Sequence, residues 1–140
     1  EDYTRDMGIQ RTESGEELYF PRACIGVAAR AARVVALDTP YVKFRDLEGL
    51  ERDVRAVLKL GFKGKFAIHP AQLEPLNRLF GPQPEEVEKA RKIVQAWDAA
   101  AAEGRGAVEV DGQAVDVPVV ERARDLLAYA EAIAKRGKEK

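Results

Sequence analysis

Two short apolar runs, each closed by a chain breaker and separated by one amphipathic pattern, restrict what this sequence can fold into more than any other feature. The first, in "RVVALDTP", runs from Val34 to Leu37 and stops at Asp38 and a Thr-Pro pair; the second is "KFAIHP", closed by Pro70. Continuous apolar runs this short are the signature of strands buried on both faces. Between them, "DLEGLERDVRAVLKLGF" opens on Asp46, a good N-cap, and sets Leu47, Leu50, Val54, Val57 and Leu58 on one helical face before Gly61. Parallel neighbours need a long return path, which such a helix supplies.

The flanking segments extend the alternation. Glu16 to about Ala32 reads as a helix with Leu18, Cys24, Ile25, Ala28 and Ala32 inward, Pro21 in its first turn, and Cys24 as a small buried side chain. After the second run, Pro70 can start a helix over "AQLEPLNRLF" that Gly81 ends. Helix, strand, helix, strand, helix predicts an α/β fold with a parallel sheet.

A different pattern follows. "PEEVEKARKIVQAWDAAAAEG" predicts a long helix with Val87, Ala90, Ile93, Val94, Trp97 and Ala101 on its dry face. "GAVEVDGQAVDVP" predicts a hairpin turning at Asp111-Gly112, and a last helix runs from Val119 to about Lys135, ending in a solvated basic tail, "KRGKEK".

Chemistry-bearing residues are few. With 23 basic and 24 acidic side chains the formal charge is -1, so no global field attracts nucleic acid or an anionic membrane. No apolar span or leader is visible, which makes the cytoplasm the expected location. One cysteine excludes an internal disulfide, and one histidine with no Cys-x-x-Cys argues against zinc. Ser14 is the only serine and lies outside any G-x-S-x-G; neither a P-loop nor G-x-G-x-x-G occurs.

What remains sits at carboxyl ends of strands, where parallel α/β sheets bind ligands. Asp38 ends one run and His69 the next, while Glu1-Asp2 would end a strand preceding the sequence. His69 reads either as a donor to a ligand oxygen or, the favoured reading, as a group satisfying backbone at the strand-to-helix turn. Asp2 suits a hard cation such as magnesium, although on composition alone Asp2 and Asp116 are ordinary surface and turn acids.

Taken together, "EDYTRDMG", "VVALDTPY", "LGFKGKFAIHPAQLEPLN", "FGPQPEEVEKARKIV" and "GAVEVDGQAVDVPVVERA" resemble the carboxyl-terminal half of the citrate lyase beta subunit and malyl-CoA lyase family, in the family's order. The resemblance implies the C-terminal part of a TIM (β/α)8 barrel over residues 1–82, with "VVALD" and "FAIHP" its seventh and eighth strands and Glu1-Asp2 just after the sixth. It also implies a helix-hairpin-helix extension over 83–140. A full barrel takes about 250 residues, so the chain is expected to be the later half of a longer or split protein.

The function implied is magnesium-dependent cleavage of a carbon-carbon bond in a 3-hydroxyacyl thioester of the citryl-CoA or malyl-CoA type, giving an oxo acid and an acetyl thioester. Asp2 matches the family's metal-binding aspartate. The partner glutamate and an upstream substrate-binding arginine lie outside these 140 residues, so the chain alone is expected to be inactive. Asp116 matches an acid-base aspartate that reaches a neighbouring protomer's site, which implies a homo-oligomer, such as a trimer, and other lyase subunits as further partners. Ile68, His69 and Pro70 lie where CoA or a protein-bound phosphopantetheine passes. The alternatives are a non-catalytic thioester-binding or assembly module, and a thioesterase on the same scaffold.

Overall fold

A computed structural model describes residues 2–138. Glu1 and the last two residues of the basic tail, both included in the expectations above, lie outside the described residues. The chain divides into two compact units, Glu1–Phe80 and Gly81–Lys140.

The first unit runs α1 (Asp2–Asp6), a 3-10 turn (Glu16–Leu18), α2 (Tyr19–Ala31), β1 (Leu37–Asp38), α3 (Leu47–Leu58), β2 (Gly64–Lys65), a second 3-10 turn (Pro70–Gln72) and α4 (Leu73–Phe80). β1 and β2 pair in parallel, Leu37 beside Gly64 and Asp38 beside Lys65, with α3 as the crossover. The α/β reading is therefore correct in kind. Both strands are shorter than the apolar runs predict, and hydrogen bonding explains why. Val34 N–H turns back to the Ala29 carbonyl (3.0 Å), so β1 cannot start there. At the other end, Ile68 N–H donates to the Gln72 side chain (2.9 Å) and Pro70 has none, so "FAIHP" leaves the ladder after Phe66 N–H has bonded the Asp38 carbonyl (3.0 Å).

Both long helices of this unit end in the same six-residue motif. At α3, Phe62 N–H bonds the Val57 carbonyl and Gly61 takes φ 89°. At α2, Val34 N–H bonds the Ala29 carbonyl, and the left-handed position is filled by Arg33 at φ 56°. The expected inward face of α2 needs correction. Its buried residues are Gly26 and Ala29, whereas Cys24 and Ile25 are exposed. The cause is a close approach: a Cβ on Gly26 would lie 2.2 Å from the Leu60 carbonyl oxygen. Only the face carrying Gly26 allows that contact. Ala29, Ala36, Val57 and Phe62 form one core cluster; Leu50, Val54 and Leu76 form a second.

In the second unit, α5 (Pro84–Ala102) and α6 (Val117–Lys138) pack with a hairpin of β3 (Val108–Val110) and β4 (Gln113–Val115). The turn residues Asp111 and Gly112 both have positive φ, 51° and 75°, as a two-residue primed turn requires. Ala90, Ile93, Val115, Val120 and Ala123 form the core, with Trp97 and Leu127 packed on it. α6 starts two residues before the predicted Val119, because Pro118 fits a first turn as well as it would an N-terminal flank. Among the described residues no helix is long and apolar enough to cross a membrane.

Candidate functional site

The carboxyl ends of β1 and β2 are organised around four charges. Asp38 ends β1 with its side chain 1% exposed, and Lys65 ends β2 with its side chain 0% exposed. Their parallel register puts both on the helix-covered side of the sheet. Arg22, from α2, donates to Asp38 through Nε and Nη2 (both 3.0 Å) and to Asp53, on α3, through Nη1 (2.9 Å). Lys65 Nζ donates to Asp38 and to Asp53, the latter at 2.5 Å. Two cations and two carboxylates thus tie together two strands and two helices. Burial pushes the Asp53 carboxyl up, but hydrogen bonds and charge from Arg22 and Lys65 outweigh it and hold it below the usual range. Burial likewise opposes the charge on Arg22, and the two carboxylates more than restore it.

Above this layer the loops after the two strands are stitched together. Gln72, fully buried, accepts from Ile68 N–H and donates to the Tyr41 carbonyl (2.8 Å), bridging the second loop to the first. Phe44 and His69 stack with centroids 4.7 Å apart. His69 caps the 3-10 turn, its Nδ1 accepting from Ala71 N–H at 3.1 Å. That bond requires a lone pair on Nδ1, so the neutral ring carries its proton on Nε2. Tyr41 donates to Asp46 (2.8 Å); burial first, then this bond, pushes its phenol up to about 12. Asp46 in turn caps α3 by accepting from Gly49 N–H, which lowers its own carboxyl, Tyr41 adding to the effect.

The residues singled out from sequence lie on different elements. Ile68, His69 and Pro70 are exposed on the rim after β2, held from beneath by Gln72. Asp38 belongs to the buried network, where it cannot meet a ligand directly. Asp2 is exposed in the first turn of α1. Its donor type fits a hard cation, but as a single ligand: among the described residues no group of three or more His, Cys, Asp or Glu is placed to hold a metal. Asp116, in the second unit, is exposed and immediately precedes α6; its Oδ1 accepts from Val119 N–H at 3.3 Å, the geometry of an N-cap.

Sequence reasoning missed Arg22, Asp53, Lys65 and Gln72. The one available signal was Lys65 itself, a charge at the head of the second apolar run, which is buried stably only when paired.

Comparison with known proteins places these features in a family. The HpcH/HpaI aldolase/citrate lyase pattern matches residues 1–70. Citrate lyase subunit beta of Escherichia coli K12 is 42% identical over 131 residues, covering 94% of this chain and 43% of that protein. A (3S)-malyl-CoA thioesterase of Cereibacter sphaeroides is 44% identical over 77% of this chain and 38% of its own length. Among solved structures, protein CitE of Mycobacterium tuberculosis, in complex with magnesium, acetoacetate and coenzyme A, matches with a TM-score of 0.75 at 30% identity, over 91% of this chain and 48% of that one. The chain spans less than half the length of these relatives. It belongs to the HpcH/HpaI aldolase/citrate lyase family.

Proposed function

We propose that this chain is part of a magnesium-dependent lyase that cleaves a 3-hydroxyacyl thioester, of the citryl-CoA or malyl-CoA type, into an oxo acid and an acetyl thioester. The observation that carries the reading is the similarity to citrate lyase subunit beta along nearly the whole chain. The likeness to a protein solved with magnesium, acetoacetate and coenzyme A supports the ligand classes. In this reading β1 and β2 are the seventh and eighth strands of a (β/α)8 barrel, and α5, the hairpin and α6 form its C-terminal extension.

Each residue then has a task set by its chemistry. Asp2 supplies one carboxylate oxygen to a divalent cation whose other ligands come from beyond this chain. Bound there, magnesium acts as a Lewis acid on the oxo-acid half of the substrate and orients it. Ile68, His69 and Pro70 present apolar atoms and backbone to the thioester carrier, CoA or phosphopantetheine, and Gln72 fixes where that rim stands. Asp116, carried after the hairpin into the site of a neighbouring copy, serves as the acid-base group at the thioester α-carbon, which gains a proton as the carbon-carbon bond breaks and the β-hydroxyl, becoming the oxo acid's carbonyl, gives one up. The role makes a homo-oligomer part of the proposal.

A thioesterase on the same scaffold is the second reading, favoured by the malyl-CoA thioesterase relative. Product analysis separates the two. The full protein, incubated with magnesium and citryl-CoA or malyl-CoA, is expected to release an oxo acid and acetyl-CoA, and to stop when the metal is chelated. Free CoA with the intact hydroxy acid would establish the thioesterase instead, and no turnover of either substrate would favour a binding module.

A further inference from the structure

The loop that follows β1 carries two cations, Lys43 and Arg45, and they differ in what they meet. Lys43 bonds Glu13 at 2.6 Å. Arg45 is exposed and meets no carboxylate among the described residues. The acid next to it in sequence, Asp46, is committed elsewhere, accepting from the Tyr41 hydroxyl and from Gly49 N–H, both at 2.8 Å. Instead, Arg45 lies over an aromatic ring, with its guanidinium carbon 5.2 Å from the centre of Phe44.

Stacking occupies the faces of planar groups and leaves their edges available. A guanidinium lying on an aromatic face keeps its in-plane N–H groups for an anion. The exposed His69 ring is used in a similar way: its face is taken by Phe44 at 4.7 Å and its Nδ1 by Ala71 N–H, so Nε2–H is the donor that remains. Phe44 thus gathers two planar donors, both within 5.2 Å of its ring centre. Gln72 keeps them together, since it ties the loop carrying Phe44 to the loop carrying His69 through the Tyr41 carbonyl and Ile68 N–H.

We propose that Arg45 and the Nε2–H of His69 grip a phosphate group of the thioester carrier, which makes Arg45 a residue that selects phosphorylated carriers. The guanidinium fork donates to the phosphate oxygens as a charge-assisted pair, and the imidazole N–H adds a neutral donor. The inference rests on the thioester reading above and adds to it, because the rim after β2 offers the carrier apolar atoms and backbone while Arg45 offers charge. The phosphate belongs either to free CoA or to a protein-bound phosphopantetheine, two sources of one chemistry.

Calorimetric titration of the full protein with CoA, dephospho-CoA, phosphopantetheine and pantetheine tests it. The parent is expected to bind CoA at least about tenfold more tightly than pantetheine. Arg45→Gln should weaken CoA binding about tenfold and leave both pantetheine binding and the thermal midpoint in place. Arg45→Lys, which keeps the charge and loses the fork, should fall between the two. An Arg45 effect that persists with phosphopantetheine assigns the phosphate shared by free and protein-bound carriers; an effect confined to CoA or dephospho-CoA assigns a nucleotide phosphate and hence free CoA. Arg45→Gln that binds CoA like the parent, or that loses pantetheine equally, would overturn the proposal. A parent that binds none of these probes removes the thioester reading, and this proposal with it.

Discussion

Lys65→Met tests the buried network most sharply. The substitution keeps the volume and apolar stem of a side chain that is 0% exposed and removes only its charge. It leaves Asp38, 1% exposed, and Asp53 facing Arg22 alone, so one buried carboxylate loses its compensation. Stranding a charge in this way costs about 3–5 kcal/mol. Because Arg22 still reaches both acids, the lower end, about 3 kcal/mol, is expected. A unit of this size holds about 4–12 kcal/mol in all, so most of its margin goes. The two units can be read separately. Amide exchange in α3 reports the first, and the fluorescence of Trp97, packed in the other core, reports the second. Lys65→Met should lower the opening free energy of the α3 amides by about 3 kcal/mol and leave the Trp97 transition unchanged. Adding Asp53→Asn should recover at least about 1 kcal/mol by restoring one cation to one anion. A loss under about 1 kcal/mol for Lys65→Met would refute the claim that this network is a buried, mutually dependent set.

Four further outcomes follow from the same geometry. Gly26→Ala, which would stabilise an ordinary helix interior by about 1 kcal/mol, should instead destabilise by about 1–3 kcal/mol, because its Cβ meets the Leu60 carbonyl at 2.2 Å; urea unfolding gives the sign. Arg33→Gly should raise stability by about 0.5–1 kcal/mol by relieving a left-handed φ of 56°, measured in the same way. Asp53 has a folded carboxyl held below its unfolded value, so its contribution is fully present above about pH 4 and is lost as acid titrates the folded state below that; an acid unfolding series with Asp53→Asn should flatten in that window only. Gln72→Ala removes both the acceptor for Ile68 N–H and the donor to the Tyr41 carbonyl, so exchange at Ile68 should accelerate, at a stability cost of about 1–3 kcal/mol.

The parts of the fold that local chemistry decides were legible in the sequence. Asp46 as a cap, Gly61 as a helix stop, the Asp111-Gly112 turn and the inward Leu50, Val54 and Val57 each depend on neighbours within a few residues. The inward face of α2 was not legible. Its apolar residues point to Cys24 and Ile25, but the choice was made by a distant carbonyl, that of Leu60, which only Gly26 admits. Strand ends were misjudged for a similar reason, since Val34 and Ile68 give their N–H groups to a helix end and a side chain. The four-charge network joins residues 16, 31 and 27 positions apart across three of its contacts, and no periodicity encodes that. At the rim, the capping role of His69 could be inferred from the proline after it, while its stacking on Phe44 required the tertiary structure.

The central claim is that the carboxylate of Asp116 moves a proton in the reaction and does more than cap α6. Asparagine caps a helix as well as aspartate but has no titrating proton to give. In the full protein, Asp116→Asn should therefore leave the thermal midpoint and KM for the thioester close to the parent values, while kcat falls at least about a hundredfold. An unchanged kcat in a folded Asp116→Asn protein would reduce that residue to a helix cap and remove the acid-base step assigned to it.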